Sequence, residues 1–330
     1  MWKVCDGTRF GGVLRVFYPF EFAKERVSVM RKFMLGAVFL MAFVPVVDAH
    51  PWMDHVEHRF ADSDGVKIHY AVAGSGPLVV FIHGFPDFWY SWKDQMEGLS
   101  SEYTVAALDT RGYNKSDKPE GGENYAMPYL ISDVAAVIRN EKVDKAIVVG
   151  HDWGGMIAWS FAMAHPEMTD KLIIVNLPHP KGLTRELSKM DKQHRNSAYA
   201  RRFQMPDSHK SLNAAGLATM VSRGDAELKG YYQKAFENSS FDAMMNYYRQ
   251  NYPKEPYAEN APEFPDLEMP VLQFHGLNDT ALLAGALNDT WESLKKDYTL
   301  VTIPNVGHWS HHEAPDMVTD TMRWWLEMRK

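Results

Sequence analysis

Two periodicities alternate along this chain. Residues 66–73 (VKIHYAVA) alternate polar and apolar side chains, as a strand with one buried face does. Shorter runs follow that are apolar nearly throughout: 78–82 (LVVFI), 105–108 (VAAL), 146–149 (AIVV), 172–175 (LIIV), 271–274 (VLQF) and 300–303 (LVTI). A strand without a polar face is buried on both sides, which is the habit of parallel sheets. Segments with helical spacing separate them, at 89–99, 128–140, 155–164, 285–296 and 315–328. Strand and helix in alternation predict an α/β fold, a mostly parallel sheet with helices on both faces.

The alternation stops between Pro178 and Pro262. That stretch holds no buried-strand run and is rich in Tyr, Met and charge, as in SAYARRFQ, LKGYYQKAF and FDAMMNYYRQNY. It ends in the turn-rich link YPKEPYAENAPEFPDLEMP. The expected organisation is a core in two parts, 50–177 and 263–330, with a helical cap inserted at 178–262. The connection NLPHPKG, just before the cap, reads as ordinary linking sequence.

Composition narrows the partners. A formal net charge of −7 lacks the basic stripe that a nucleic-acid surface needs. The single cysteine, Cys5, excludes an internal disulfide and cysteine-based zinc sites. Met30-Arg31-Lys32, then FMLGAVFLMAFVPVV, then Val47-Asp48-Ala49 describe a signal peptide over 30–49, cut before His50. The apolar run is shorter than the roughly 20 residues of a membrane span. Residues 1–29 stand ahead of it as an over-extended start or a long leader. The expectation is a secreted or periplasmic protein, off the membrane after cleavage, with a solvated start containing His50, His55 and His58.

Four motifs fall in loops directly after strands: His83-Gly84-Phe85-Pro86, GHDWGG at 150–155, His275-Gly276-Leu277-Asn278-Asp279, and Val306-Gly307-His308-Trp309. Strand C-termini of a parallel sheet share one edge, so the four loops converge. The chain order is nucleophile, acid, histidine, with Asp152 where a nucleophile elbow carries serine. A carboxylate attacking an acyl carbon gives a reactive anhydride, whereas attack on a saturated carbon gives a stable ester. Asp152 therefore points to an epoxide or an alkyl halide. His308 would activate water against the ester and Asp279 would orient His308. Asp289, in the second LNDT, competes with Asp279 but falls in an expected helix. Backbone N–H groups of Phe85 and Trp153 are the expected oxyanion donors, and His83, Pro86, Trp153 and Tyr247 the expected substrate-lining residues. No cofactor and no metal is expected; His308, His311 and His312 lack a credible carboxylate partner set in the sequence.

HGFPDFWYSW, RGYNKSDKP, GHDWGG and GHW resemble the α/β-hydrolase-fold epoxide hydrolases, and among them the secreted bacterial type. The likeness runs from about Asp62 to Trp325. It implies two cap tyrosines that protonate the epoxide oxygen. Tyr248, in Asn246-Tyr247-Tyr248-Arg249, matches a pattern like N-W-Y-R, and Tyr199, in SAYARRFQ, matches the first. The expected reaction opens a small-molecule epoxide to a vicinal diol through an ester on Asp152. Haloalkane or haloacid dehalogenation by the same residues is the alternative, although Phe85 stands where many haloalkane dehalogenases have asparagine. A non-catalytic binding protein of the same fold is third. A homodimer is left open.

Overall fold

The computed structural model describes residues 51–257 and 263–330, within one unit that spans Asp48–Lys330. The leader expected at 30–49, the segment 1–29, His50 and the end of the expected cap at 258–262 lie outside the described residues.

Eight strands form one sheet: β1 (Glu57–Ser63), β2 (Val66–Gly74), β3 (Leu78–Ile82), β4 (Thr104–Leu108), β5 (Ala146–His151), β6 (Thr169–Val175), β7 (Val271–Gly276) and β8 (Tyr298–Ile303). Their order is β1-β2-β4-β3-β5-β6-β7-β8. β2 runs antiparallel to β1 and β4, and every other pairing is parallel. The apolar runs occupy the centre, where β3, β5 and β7 are buried at every residue. Helices α1 (Lys93–Leu99), α2 (Met127–Asn140) and α3 (Trp153–Ala164) follow β3, β4 and β5. α2 and α3 pack on each other and on β3.

Among the described residues six helices stand between β6 and β7: α4 (Pro180–Ser188), α5 (Lys192–Asn196), α6 (Ala198–Phe203), α7 (Ala214–Ser222), α8 (Ala226–Glu237) and α9 (Phe241–Asn251). Side-chain caps start four of them, with His179 Nδ1 accepting from Lys181 N ahead of α4. Asn213 accepts from Gly216 N, Asp225 from Leu228 N and Ser240 from Ala243 N. The layer is pinned to the loops at the strand C-termini. Tyr232 OH donates to Asp87 Oδ1 at 2.5 Å, Tyr247 OH to Arg111 O at 2.8 Å, and Gln193 Nε2 to Ala281 O at 2.8 Å. After β8 come α10 (Ser310–Glu313) and α11 (Pro315–Glu327), and α11 packs on α1 and β7. Among the described residues no helix is long and apolar enough to cross a membrane.

Two expectations fail. The helix read at 285–296 is two 3-10 turns, Ala284–Leu287 and Thr290–Ser293. Asp289 between them takes φ +64, a left-handed conformation that a helix does not tolerate. Arg185 of α4 holds this shape, donating to Gly285 O, Asn288 O and Asp289 Oδ2. The second failure is β1, absent from the pattern. His58, expected in a solvated start, is exposed as expected but lies in this strand, with Nδ1 2.9 Å from His69 Nε2.

Candidate active site

The chain runs β3→β4 to one side of the sheet and returns across β3 to β5 on the other. The crevice between the C-terminal ends of β3 and β5 is therefore a topological switch point, the usual place for a ligand in an open α/β sheet. Asp152 sits there, between β5 and α3, at φ 51° and ψ −122°. Such a turn works only if its neighbours lack side chains. A Cβ on Gly150 would lie 2.1 Å from Gly154 O, and one on Gly154 would lie 2.0 Å from Ile82 O. Both contacts are with backbone, which cannot give way locally. Gly154→Ala is accordingly expected to destabilise the protein by roughly 1–3 kcal/mol, the usual range for an overpacked interior. A calorimetric melt in which Tm is unchanged would contradict this.

Asp152 is 7% exposed, and its Oδ1 accepts a 2.8 Å hydrogen bond from Phe85 N. Its Oδ2 lies 3.4 Å from His308 Nε2. On the other side of the ring, His308 Nδ1 lies 2.7 Å from Asp279 Oδ2. Asp279 is further held by Asn176 Nδ2 at 3.0 Å on Oδ2, and by Ala281 N and Leu282 N at 2.8 and 2.9 Å on Oδ1. Burial by itself would neutralise all three groups. It is outweighed. Against burial, the His308 charge and hydrogen bond hold Asp152 below the usual carboxylate range, and Asp279 is lowered in the same way. The two carboxylates raise His308 to about 10 despite its burial. The array is thus carboxylate, imidazolium, carboxylate.

A cavity of about 280 Å³ opens above Asp152, lined by Phe85, Pro86, Tyr199, Phe203, Tyr248 and His308 among others. A narrower space of about 20 Å³ continues past Trp153, Met156, Leu183 and Tyr252. Asp152, Tyr199 and Tyr248 border both. The Tyr248 ring meets Trp153 at 4.9 Å and Phe85 at 5.8 Å, edge to face. Burial raises both tyrosines well above their ordinary value of 10.0, and the Asp152 charge adds to it, so both are neutral O–H groups.

The structure thus brings together Asp152, His308, Asp279, Tyr199, Tyr248, Phe85, Pro86 and Trp153. It does not bring His83 or Tyr247 to the cavity. His83 is spent on its own loops: Nδ1 lies 2.8 Å from Gly84 O, and Nε2 accepts from Thr110 N at 3.0 Å. Tyr247 is one residue, about 100°, round the helix from Tyr248. It turns to the Arg111 carbonyl and is 1% exposed. Of the two expected oxyanion donors, Phe85 N–H reaches the carboxylate. Trp153 N–H opens α3 beside it, but no bond from it to Asp152 is found among the described residues.

Asn176 was missed. It follows β6 at φ 47° in the stretch read as mere connection. Its amide donates to Asp279 Oδ2 and, at 3.1 Å, to Gly307 O, and its Oδ1 accepts from Ser310 Oγ. Asn176 therefore ties the acid loop to the histidine loop. Only its place after an apolar strand, on the edge where the other four loops gather, could have marked it.

Residues 77–315 match the alpha/beta hydrolase fold family. The chain is 35% identical to Epoxide hydrolase 1 of Caenorhabditis elegans over 82% of this chain and 70% of that one. It is 33% identical to Epoxide hydrolase 4 of Homo sapiens over 80% and 76%. Among solved structures, the epoxide hydrolase of Bacillus megaterium in complex with an inhibitor superposes with a TM-score of 0.75 at 32% identity, over 82% of this chain and all of that one (100%). With an aspartate on the elbow and two tyrosines bordering the same cavity, the chain belongs to the alpha/beta-hydrolase fold family, among its epoxide hydrolases, which are hydrolases acting on ether bonds.

Proposed function

We propose that this enzyme adds water across an epoxide in two steps, through an alkyl ester on Asp152. The observation that carries the reading is the placement of the Asp152 carboxylate, with Oδ1 on Phe85 N–H and Oδ2 toward His308, at a cavity it shares with Tyr199 and Tyr248. In the first step an Asp152 oxygen attacks an epoxide carbon and the ring C–O bond breaks. The electron pair goes to the ring oxygen, which takes a proton from Tyr248 or Tyr199. In the second step His308 Nε2 removes a proton from water, and the hydroxide attacks Cγ of Asp152. The oxyanion is held by Phe85 N–H, the ester C–O bond breaks, and the departing oxygen takes the proton of the added hydroxyl, which releases the diol and restores the Asp152 carboxylate. Esterification also removes the Asp152 charge from beside His308, which weakens the hold of His308 on its proton; that proton passes to the tyrosinate left by the first step, and His308 is then free to act as the base.

The reading is tested by one turnover in heavy-oxygen water with enzyme in excess. The diol should carry unlabelled oxygen from Asp152, and the label should appear in the peptide that contains it. Label in the diol on the first turnover would eliminate the ester.

The tyrosines separate epoxide from halide as substrate, because an alkoxide leaving group needs a proton and a halide does not. Tyr248→Phe is expected to lower kcat/KM for styrene oxide by about 10²-fold or more, within the range of general-acid catalysis. The further change Tyr199→Phe should remove most of what remains. Bromide release from 1-bromobutane, with no diol from styrene oxide, would instead favour the dehalogenase reading.

A further inference from the structure

Next to His308, among residues that do not line the cavity, four side chains converge without using all their polar atoms. Asp87 follows the HGFP turn, His151 ends β5, and His311 and His312 lie in α10. Asp87, His151 and His311 are each 0% exposed, and one ligand atom from each lies within 4.8 Å of the others. His312 Nε2 is 3.9 Å from Asp87 Oδ2, with its side chain 15% exposed. Asp87 Oδ2, His151 Nδ1, both ring nitrogens of His311 and His312 Nε2 have no hydrogen-bond partner among the described residues. The Ser91 hydroxyl stands near Asp87 but likewise has no bond within normal limits.

For Asp87 and His151 the surrounding contacts turn lone pairs, not protons, toward the cluster. Asp87 Oδ1 is occupied by Tyr232 OH at 2.5 Å and Phe88 N at 3.1 Å, which turns Oδ2 to the cluster. His151 Nε2 lies 2.9 Å from His308 O. A carbonyl only accepts, so Nε2 carries the proton and Nδ1 presents its lone pair. The His311 ring is stacked on Trp92 at 4.4 Å, which sets its orientation. Fixed tautomers and second partners of this kind are what hold metal ligands in place. Three imidazoles and one carboxylate suit a borderline-soft ion that accepts four ligands, whereas magnesium and calcium demand oxygen. With Zn–N bonds of about 2.1 Å, the donors would draw in by about an ångström. His312 borders a surface cleft of about 480 Å³ that gives a way in.

We propose that Asp87, His151, His311 and His312 form a binding site for a first-row divalent cation, zinc foremost, separate from the Asp152 cavity. The site ties the HGFP loop, the nucleophile elbow and α10 into one unit.

Cobalt serves as the spectroscopic probe. Untagged full-length protein, freed of metal by chelator, is titrated with Co²⁺ and, separately, with Zn²⁺. The expected result is one equivalent of Co²⁺ per chain, with the intense visible bands of tetrahedral cobalt. Zn²⁺ should displace it and raise Tm by about 4 °C or more. Asp87→Asn, which keeps the shape and the Tyr232 contact, should abolish both signals, and so should His311→Gln. The paired change His55→Gln and His58→Gln should leave them intact. Folded protein that shows no cobalt bands overturns the proposal and assigns the unpaired atoms to internal water. Bands that survive both Asp87→Asn and His311→Gln overturn it equally, because the ion is then elsewhere.

Discussion

Asp152→Asn is expected to bind epoxide and turn over almost none of it. Asparagine has the same shape, and its Oδ1 still accepts from Phe85 N–H. Its amide, however, has no charge and is a far poorer nucleophile toward a saturated carbon. Loss of a nucleophile that acts as part of a unit costs on the order of 10⁴–10⁶ in kcat/KM. Binding should persist because the apolar walls of the cavity, Phe85, Phe203, Tyr248 and Trp309, are untouched. Trp153 and Trp309 border the cavity and its narrow extension, so quenching of intrinsic fluorescence reads the dissociation constant directly. The fold should persist as well, since His308 keeps its 2.7 Å contact with Asp279. Turnover within tenfold of the parent enzyme would remove Asp152 from the nucleophile's role.

His308→Gln should separate the two halves of the reaction. Glutamine cannot take a proton from water, so hydrolysis of the ester should slow by about 10²–10⁴-fold, the usual worth of a positioned base. Ring opening should suffer less, because its nucleophile, its Phe85 donor and its tyrosine acids remain. It will not be untouched, since His308 is the chief group that keeps Asp152 ionised against burial. The expected trace is one rapid equivalent of epoxide consumed, followed by a stall. Mass spectrometry of the stalled protein should show the mass of one epoxide added to the peptide holding Asp152. A variant that stalls with no adduct would mean that His308 is needed before any bond to Asp152 forms.

The legible parts of this protein were those whose signal is local in the chain. β3, β5 and β7 are buried on both faces, so each is apolar throughout and visible in the text alone. β1 was not, because it is an edge strand with one partner and mostly exposed side chains. Its polar sequence is that of a strand facing water. The stretch 285–296 has helical composition, yet Arg185 and the left-handed Asp289 break it into two turns. Those contacts arise 100 or more residues away in the chain, out of reach of any local pattern. The same limit explains His83 and Tyr247. Each has the right residue type at the right place in a motif, but the Thr110 and Arg111 backbones claim their polar atoms.

The amino-acid text alone determined the chemistry on offer: a carboxylate on a glycine-flanked elbow, an acid and a histidine each after a strand, and tyrosines in a helical insertion. Connectivity is enough for this, because parallel strands deliver their loops to one edge whatever the side chains beyond do. Folding decided what depends on direction and distance. It set which of two adjacent tyrosines lines the cavity with Asp152, made Asn176 the link between the acid and histidine loops, and gathered Asp87, His151 and His311 into one buried cluster with His312 at its edge. A rotation of about 100° along a helix, or an approach of a few ångströms between loops far apart in sequence, has no local signature. It exists only once the sheet and its helices have packed.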